Sequence, residues 1–221
     1  MKKLLLFISF TALLFINMEA QKKDSSNTTK NAKRNGIGIK AGLNFANVTN
    51  VSSINGSSQT GFHAGLFFGS FNKSIIGFRT ELMYSRQGYG YSSDSSKGAI
   101  KLDYITFSQL LAINVTRYVQ IQVGAQIGYL LHAANNTEST GIASADKIIS
   151  FYNRLDYGFG GGVEIHPIGG FLIGARYNIS LSNLYKESSF TDPNNNSSSV
   201  PYNSGINFKN NVVQIFVGYR F

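Results

Sequence analysis

The sequence predicts an all-β fold: a closed, antiparallel, up-and-down transmembrane β-barrel of about eight strands. Three observations predict it. Segments in which apolar and polar residues alternate recur along the chain. The last of these segments runs to the terminal residue, Phe221. A short charged and then apolar leader stands at the other end.

The C-terminal strand is the plainest. Val213, Ile215, Val217, Tyr219 and Phe221 share one face, and Gln214, Phe216, Gly218 and Arg220 share the other, because side chains alternate across a strand. A strand with lipid outside and water inside needs an apolar face of this kind. At the N-terminus, Lys2 and Lys3 precede an apolar stretch from Leu4 to Ile16, followed by Asn17, Met18, Glu19, Ala20 and Gln21. That order describes a secretory signal peptide over residues 1–20. The stretch is too short for a membrane-spanning helix, which needs roughly 20 apolar residues. With no Cys in the chain, neither a lipid-anchored cysteine nor a disulfide is expected.

Residues 21–35, QKKDSSNTTKNAKRN, lack apolar pattern and read as a disordered basic tether on the periplasmic side. Lys22, Lys23, Lys30, Lys33 and Arg34 stand against Asp24 alone, so much of the formal net charge of +9 is local to this tail. A nucleic-acid surface would interleave basic and aromatic residues on a folded face. The tail has no aromatics, and nucleic acid is not an expected partner.

Residues 36–221 form the barrel. In the first strand Ile37, Ile39, Ala41, Leu43 and Phe45 oppose Gly38, Lys40, Gly42 and Asn44. A polar stretch over 47–60 reads as a loop. The second strand sets Phe62, Ala64, Leu66 and Phe68 outward; after a tight FNKS turn the third sets Ile76, Phe78, Thr80, Leu82 and Tyr84 outward. Its inward face carries Arg79 and Glu81. SSDSSKG reads as the next loop. The fourth strand, 100–115, is apolar on both faces, so its facing stays open and a bulge is expected in it. In the fifth, Val119, Ile121, Val123, Ala125, Ile127 and Tyr129 oppose Gln120, Gln122, Gly124, Gln126 and Gly128. A long loop over 132–150 follows. The sixth strand places Asp156, Gly158, Gly160, Gly162 and Glu164 inward, and the HPIGG turn leads to a seventh with Gly174, Arg176, Asn178 and Ser180 inward. A last long loop precedes the C-terminal strand. Long and short connections alternate in this reading, as in outer-membrane barrels, and an even strand count leaves both termini periplasmic.

An eight-stranded barrel has an interior just wide enough to be filled by side chains. The inward charges are Lys40, Arg79, Glu81, Asp156, Glu164, Arg176 and Arg220. Charges of both signs in so narrow a space should pair, since a buried unpaired ion is costly. Pairing of Arg176 with Asp156 or Glu164 is expected, giving a lumen plugged by charged side chains. His63, His132 and His166 have no metal-ligand spacing. The glycines at 158–162 lie mid-strand, with no helix start or Lys-Ser/Thr after them. No catalytic residue, cofactor or metal is expected.

Six stretches resemble the PorT-like family of outer-membrane β-barrel domains: GIKAGLNFANV at 38–48, LDYITFSQLL at 102–111, VGAQIGYLL at 123–131, DYGFGGGVEI at 156–165, ARYNISLSNL at 175–184 and VQIFVGYRF at 213–221. The family commonly has a Glu and a Pro in its fourth strand where this chain has Thr106 and Ser108, so no role of that Glu carries over. The resemblance implies a small porin-like barrel, with some members linked to secretion or assembly at the cell envelope. Resemblance to outer-membrane barrels also implies that Tyr219 and Phe221 belong to the C-terminal strand read by the assembly machinery.

The expected function is a structural or interaction role at the envelope, through displayed loops or as a component of envelope or secretion machinery. The expected partners are the outer-membrane bilayer, the assembly machinery, and envelope or secretion proteins. Porin-like passage of small polar solutes is the alternative. An outer-membrane hydrolase or acyltransferase, assembling its residues from separate strands, is a minor one.

Overall fold

The computed structural model describes residues 35–49, 55–70, 75–93, 96–137, 152–184 and 209–221. The signal peptide, the tether up to residue 34, the FNKS turn at 71–74, and residues 50–54, 94–95, 138–151 and 185–208 lie outside them. The eight strands are β1 (Asn35–Thr49), β2 (Asn55–Ser70), β3 (Ile76–Ser93), β4 (Ser96–Asn114), β5 (Val119–Thr137), β6 (Leu155–Ile165), β7 (Phe171–Ser180) and β8 (Lys209–Arg220). Each pairs antiparallel with its sequence neighbour, and β1 pairs with β8 to close the barrel. Closure leaves no free sheet edge.

Burial follows the alternation. Ile173 and Val217 are 50% and 59% exposed, whereas Arg176 and Glu81 are 3% and 1% exposed. The described residues bury more polar side chains than apolar ones. A water-soluble protein does the reverse. An apolar exterior around a polar core is the arrangement that lipid outside imposes.

At one end, the turn end, tight connections meet the first and last residues of the barrel. The Gly169–Gly170 corner between β6 and β7 needs positive φ at both positions, 55° and 91°, which glycine adopts without steric cost. The opposite, loop end departs from the alternation read in the sequence. Within the polar stretch at 47–60, residues 47–49 end β1 and residues 55–60 begin β2, and the expected SSDSSKG loop overlaps the end of β3 at Ser93 and the start of β4 at Ser96. The segment expected to open a loop at 132 continues β5 to Thr137, so His132 is a strand residue. Polar residues form strand here because the ladder satisfies their backbone groups, whatever the side chains face. As a result β3, β4 and β5 run 18, 19 and 19 residues. Roughly 9–11 residues are enough for a tilted strand to cross a bilayer.

The bulge expected in the fourth strand lies instead in its partner. Asp103 pairs with His132 and Tyr104 with Leu130, leaving Leu131 as the extra residue of β5, while the β3–β4 register is unbroken. β4 turns Leu102, Tyr104, Thr106, Ser108, Leu110 and Ala112 inward. Its two apolar faces have a simple cause. At the loop end, inward Leu102 and Tyr104 pack with Leu130, Ala133, Tyr152 and Leu184 in a small hydrophobic core inside the barrel.

Candidate functional site in the barrel lumen

The lumen is built in layers from the turn end upward. Its floor is apolar: Phe67 of β2, Leu172 of β7 and Phe216 of β8 pack together. Two glycines make this possible. A Cβ on Gly38 would collide with the Phe67 ring, and one on Gly174 would stand 2.6 Å from the Phe216 ring. Glycine here admits a bulky neighbour rather than a special backbone angle.

On this floor sit two ion clusters that cross the barrel. Arg79 of β3 donates through Nη1 to both carboxylate oxygens of Glu164 on β6, at 2.6 and 2.5 Å. Glu81, two residues along on the same face of β3, takes two cations. Lys40 of β1 donates to its Oε2 at 2.6 Å, and Arg176 of β7 binds both oxygens at 2.7 and 3.0 Å. Gln122 of β5 joins the clusters, accepting from Arg176 Nη2 at 2.6 Å and donating to Glu164 Oε2 at 3.0 Å. The cations also lie over aromatic faces: Lys40 Nζ is 4.2 Å from the Phe216 ring centroid and the Arg79 guanidinium 4.8 Å from that of Phe67. Three cations therefore share two carboxylates, with amide and π contacts supplying the remaining compensation.

Above the ions lies an amide layer. Asn44 donates to Ser85 Oγ at 2.9 Å and to the Arg86 carbonyl at 2.8 Å, and its own Oδ1 takes the Gln214 amide at 3.0 Å and faces His63 Nδ1 at 2.7 Å. Asn178 donates to Gln214 at 2.9 Å, and Asn210 to Gln87 at 2.5 Å. The wall towards the loop end holds Asp156, which accepts from the hydroxyls of Ser180 and Ser182. Gln87, Gln126, Asp156, Asn178, Ser180 and Asn210 line a small recess there, together with apolar Phe159, Ile179 and Val212.

The structure thus brings together five of the seven charges assigned inward: Lys40, Arg79, Glu81, Glu164 and Arg176. Asp156 is not among them. The carboxylate of Arg176 is Glu81, not Asp156 or Glu164. The reason is height: Arg176 pairs through its backbone with Gly162 and Gln214, well below Asp156 near the loop end of β6. Arg220 lies at the turn end, where its N–H donates to the Gly170 carbonyl. Tyr219 and Phe221 stack edge to face at 5.4 Å, and Phe171 meets Tyr219 at 4.9 Å, so both aromatics belong to an outward cluster at that rim. His63 is buried in the amide layer; His166 Nε2 lies 3.1 Å from Glu164 Oε1 beside the turn. The bridging role of Gln122 went unread in the sequence. Its only sign was a Gln at an inward position level with the charges.

The family model of the outer membrane protein beta-barrel domain matches residues 19–186. The chain belongs to that family. It is an outer-membrane β-barrel protein, and its apolar belt is the surface that meets the bilayer. Among solved structures, Neisserial surface protein A is similar at a TM-score of 0.52 and 16% identity, over 84% of this chain and 97% of that one. The attachment invasion locus protein Ail of Yersinia pestis gives 0.47 at 16% identity, over 84% and 98%. OprG from Pseudomonas aeruginosa gives 0.39 at 14%, over 86% and 97%. At such identities the likeness to Neisserial surface protein A shows a shared fold and nothing of its activity. No curated protein matches the chain.

Proposed function

We propose that this protein is a closed outer-membrane barrel with a structural or interaction role at the cell envelope, of the PorT-like kind, rather than a solute channel or an enzyme. The observation that carries the reading is the pair of ion clusters seated on Phe67, Leu172 and Phe216. Among the described residues, Lys40, Arg79, Glu81, Glu164 and Arg176 are each ion-paired to a side chain on another strand. Opening a path would require breaking buried ion pairs, at a cost of several kcal/mol each. The strands β3 to β5, longer than a bilayer requires, extend the barrel wall at the loop end. The tail before β1 and the C-terminus then face the periplasm, where the tail can engage envelope machinery.

Planar-bilayer recording of the purified protein tests the closed lumen. Silence in wild type, together with a large fall in the urea midpoint of Arg176→Ala in detergent, supports it. Stable, reproducible openings in wild type would replace it with porin-like passage.

The C-terminal rim has its own test. If Tyr219 and Phe221 are read by the assembly machinery, deleting Phe221 sharply lowers assembled protein in cells while refolding in detergent is much less affected. Equal losses in both settings would assign Phe221 to the aromatic rim alone.

A further inference from the structure

The outward face contains one polar site at the level where lipid is least forgiving. Thr80 of β3 donates its hydroxyl to Gln109 Oε1 of β4 at 2.8 Å, and Gln109 pairs across the ladder with Ala125 of β5. All three residues are centred in their outward rows. On β3 the row reads Ile76, Phe78, Thr80, Leu82, Tyr84; on β4, Ile113, Leu111, Gln109, Phe107, Ile105; on β5, Ile121, Val123, Ala125, Ile127, Tyr129. Among the described residues, Thr80 and Gln109 are the only polar side chains flanked by two apolar outward residues on each side of their own strand. The opposite wall has apolar residues at the matching positions, with Ala41 at the centre of β1.

An amide has more hydrogen-bonding capacity than one hydroxyl can use. With Oε1 engaged by Thr80, the Gln109 Nε2 group has no acceptor among the described residues. Turning the amide over would only exchange which half is left. In hydrocarbon no water completes the set, so polar groups on a membrane-facing surface are retained where another protein surface completes them.

We propose that the β3–β4–β5 wall docks a second copy of this chain in the membrane, around a two-fold axis that passes beside Gln109. The hydrogen-bonding argues for a copy over an unrelated partner. A two-fold contact must be self-complementary, and the Thr80–Gln109 pair is: its free N–H groups meet, across the axis, the lone pairs of the partner's Gln109 and Thr80. Ala125 beside the pair is small enough to let the two walls approach, the property that membrane-buried interfaces favour.

The test uses full-length protein in lipid bilayers. The native chain has no Cys, so single cysteines report cleanly. Ile113→Cys, at the turn end of the same wall, should form disulfide-linked dimers far more efficiently than Phe171→Cys on the other side of the barrel. Sedimentation in mild detergent with lipid should show a monomer–dimer equilibrium, with Gln109→Leu lowering association by about tenfold. That variant puts an apolar residue on a lipid-facing position, so it should fold at least as well as wild type, and gel mobility of unheated samples verifies this. A monomer at every concentration overturns the proposal. So does a dimer that Gln109→Leu leaves unchanged, equal cross-linking at both cysteines, or cross-linking in cells of Ile113→Cys to a different outer-membrane protein.

Discussion

The two faces of β7 lie one residue apart and obey different rules. Outward, Phe171, Ile173, Ala175, Tyr177 and Ile179 are exposed apolar or aromatic side chains, and apart from Phe171, which stacks on Tyr219 at the rim, they could be exchanged for other apolar residues with little change in what they meet. Inward, Leu172, Gly174, Arg176 and Asn178 are each matched to a specific neighbour: the Phe216 floor, the Phe216 ring, Glu81 and Gln214. The outer face is specified by a solvent and the inner face by individual contacts. Mutations should therefore fail for different reasons on the two sides.

The largest expected effect is on the inner face. Glu81→Ala leaves Lys40 and Arg176 buried without their carboxylate, and breaking such a pair costs about 3–5 kcal/mol. Urea midpoints in detergent should fall accordingly. Replacing both members of the other cluster, Arg79→Met with Glu164→Leu, should cost less than either single change, since it removes both charges together and leaves the Gln122 amide short of one acceptor. A double variant as unstable as the singles would mean that packing, not charge, holds the lumen.

On the outer face, an Arg at Ile173 or Ala125 should cost roughly 2–4 kcal/mol, as for a charge near the bilayer midplane. The comparison is sharpened by measuring each variant in bilayers and in short-chain detergent, which hydrates the Arg more readily. The loss should shrink in detergent for Ile173→Arg and persist for Glu81→Ala. Equal behaviour of the two would break the distinction between a face set by solvent and one set by contacts.

The smallest effect belongs to an ion pair that is not enclosed by the lumen. Arg86 donates to both oxygens of Asp103 at 2.7 and 3.0 Å, but its side chain is 38% exposed. Arg86→Ala should change stability by only ~0–1 kcal/mol, and less as salt is raised. A loss as large as that of Glu81→Ala would show that the loop end is as dry as the lumen.

Gln109 and Gln122 show how far position alone could be read. Both are glutamines in the apolar-polar pattern of adjoining strands. Gln122 stands in a clean alternation, so its inward facing was legible. Gln109 stands in a strand with two apolar faces, and its outward place is evident only from pairing with Thr80 and Ala125.

The barrel and its outer face could be read from the residues alone. Lipid acts on every outward residue alike, so the alternation is written locally in each strand and needs no knowledge of the others. The tertiary structure alone decided which charges meet. Arg79 and Glu164 are 85 residues apart and Arg176 and Glu81 are 95 apart, and the stagger of the strands around the barrel sets their relative heights. That stagger also put Asp156 out of reach of Arg176, moved the bulge from β4 to β5, and carried polar segments into strands at the loop end. Each of these depends on a register between strands. A register is a property of pairs, and local alternation in one strand does not encode it.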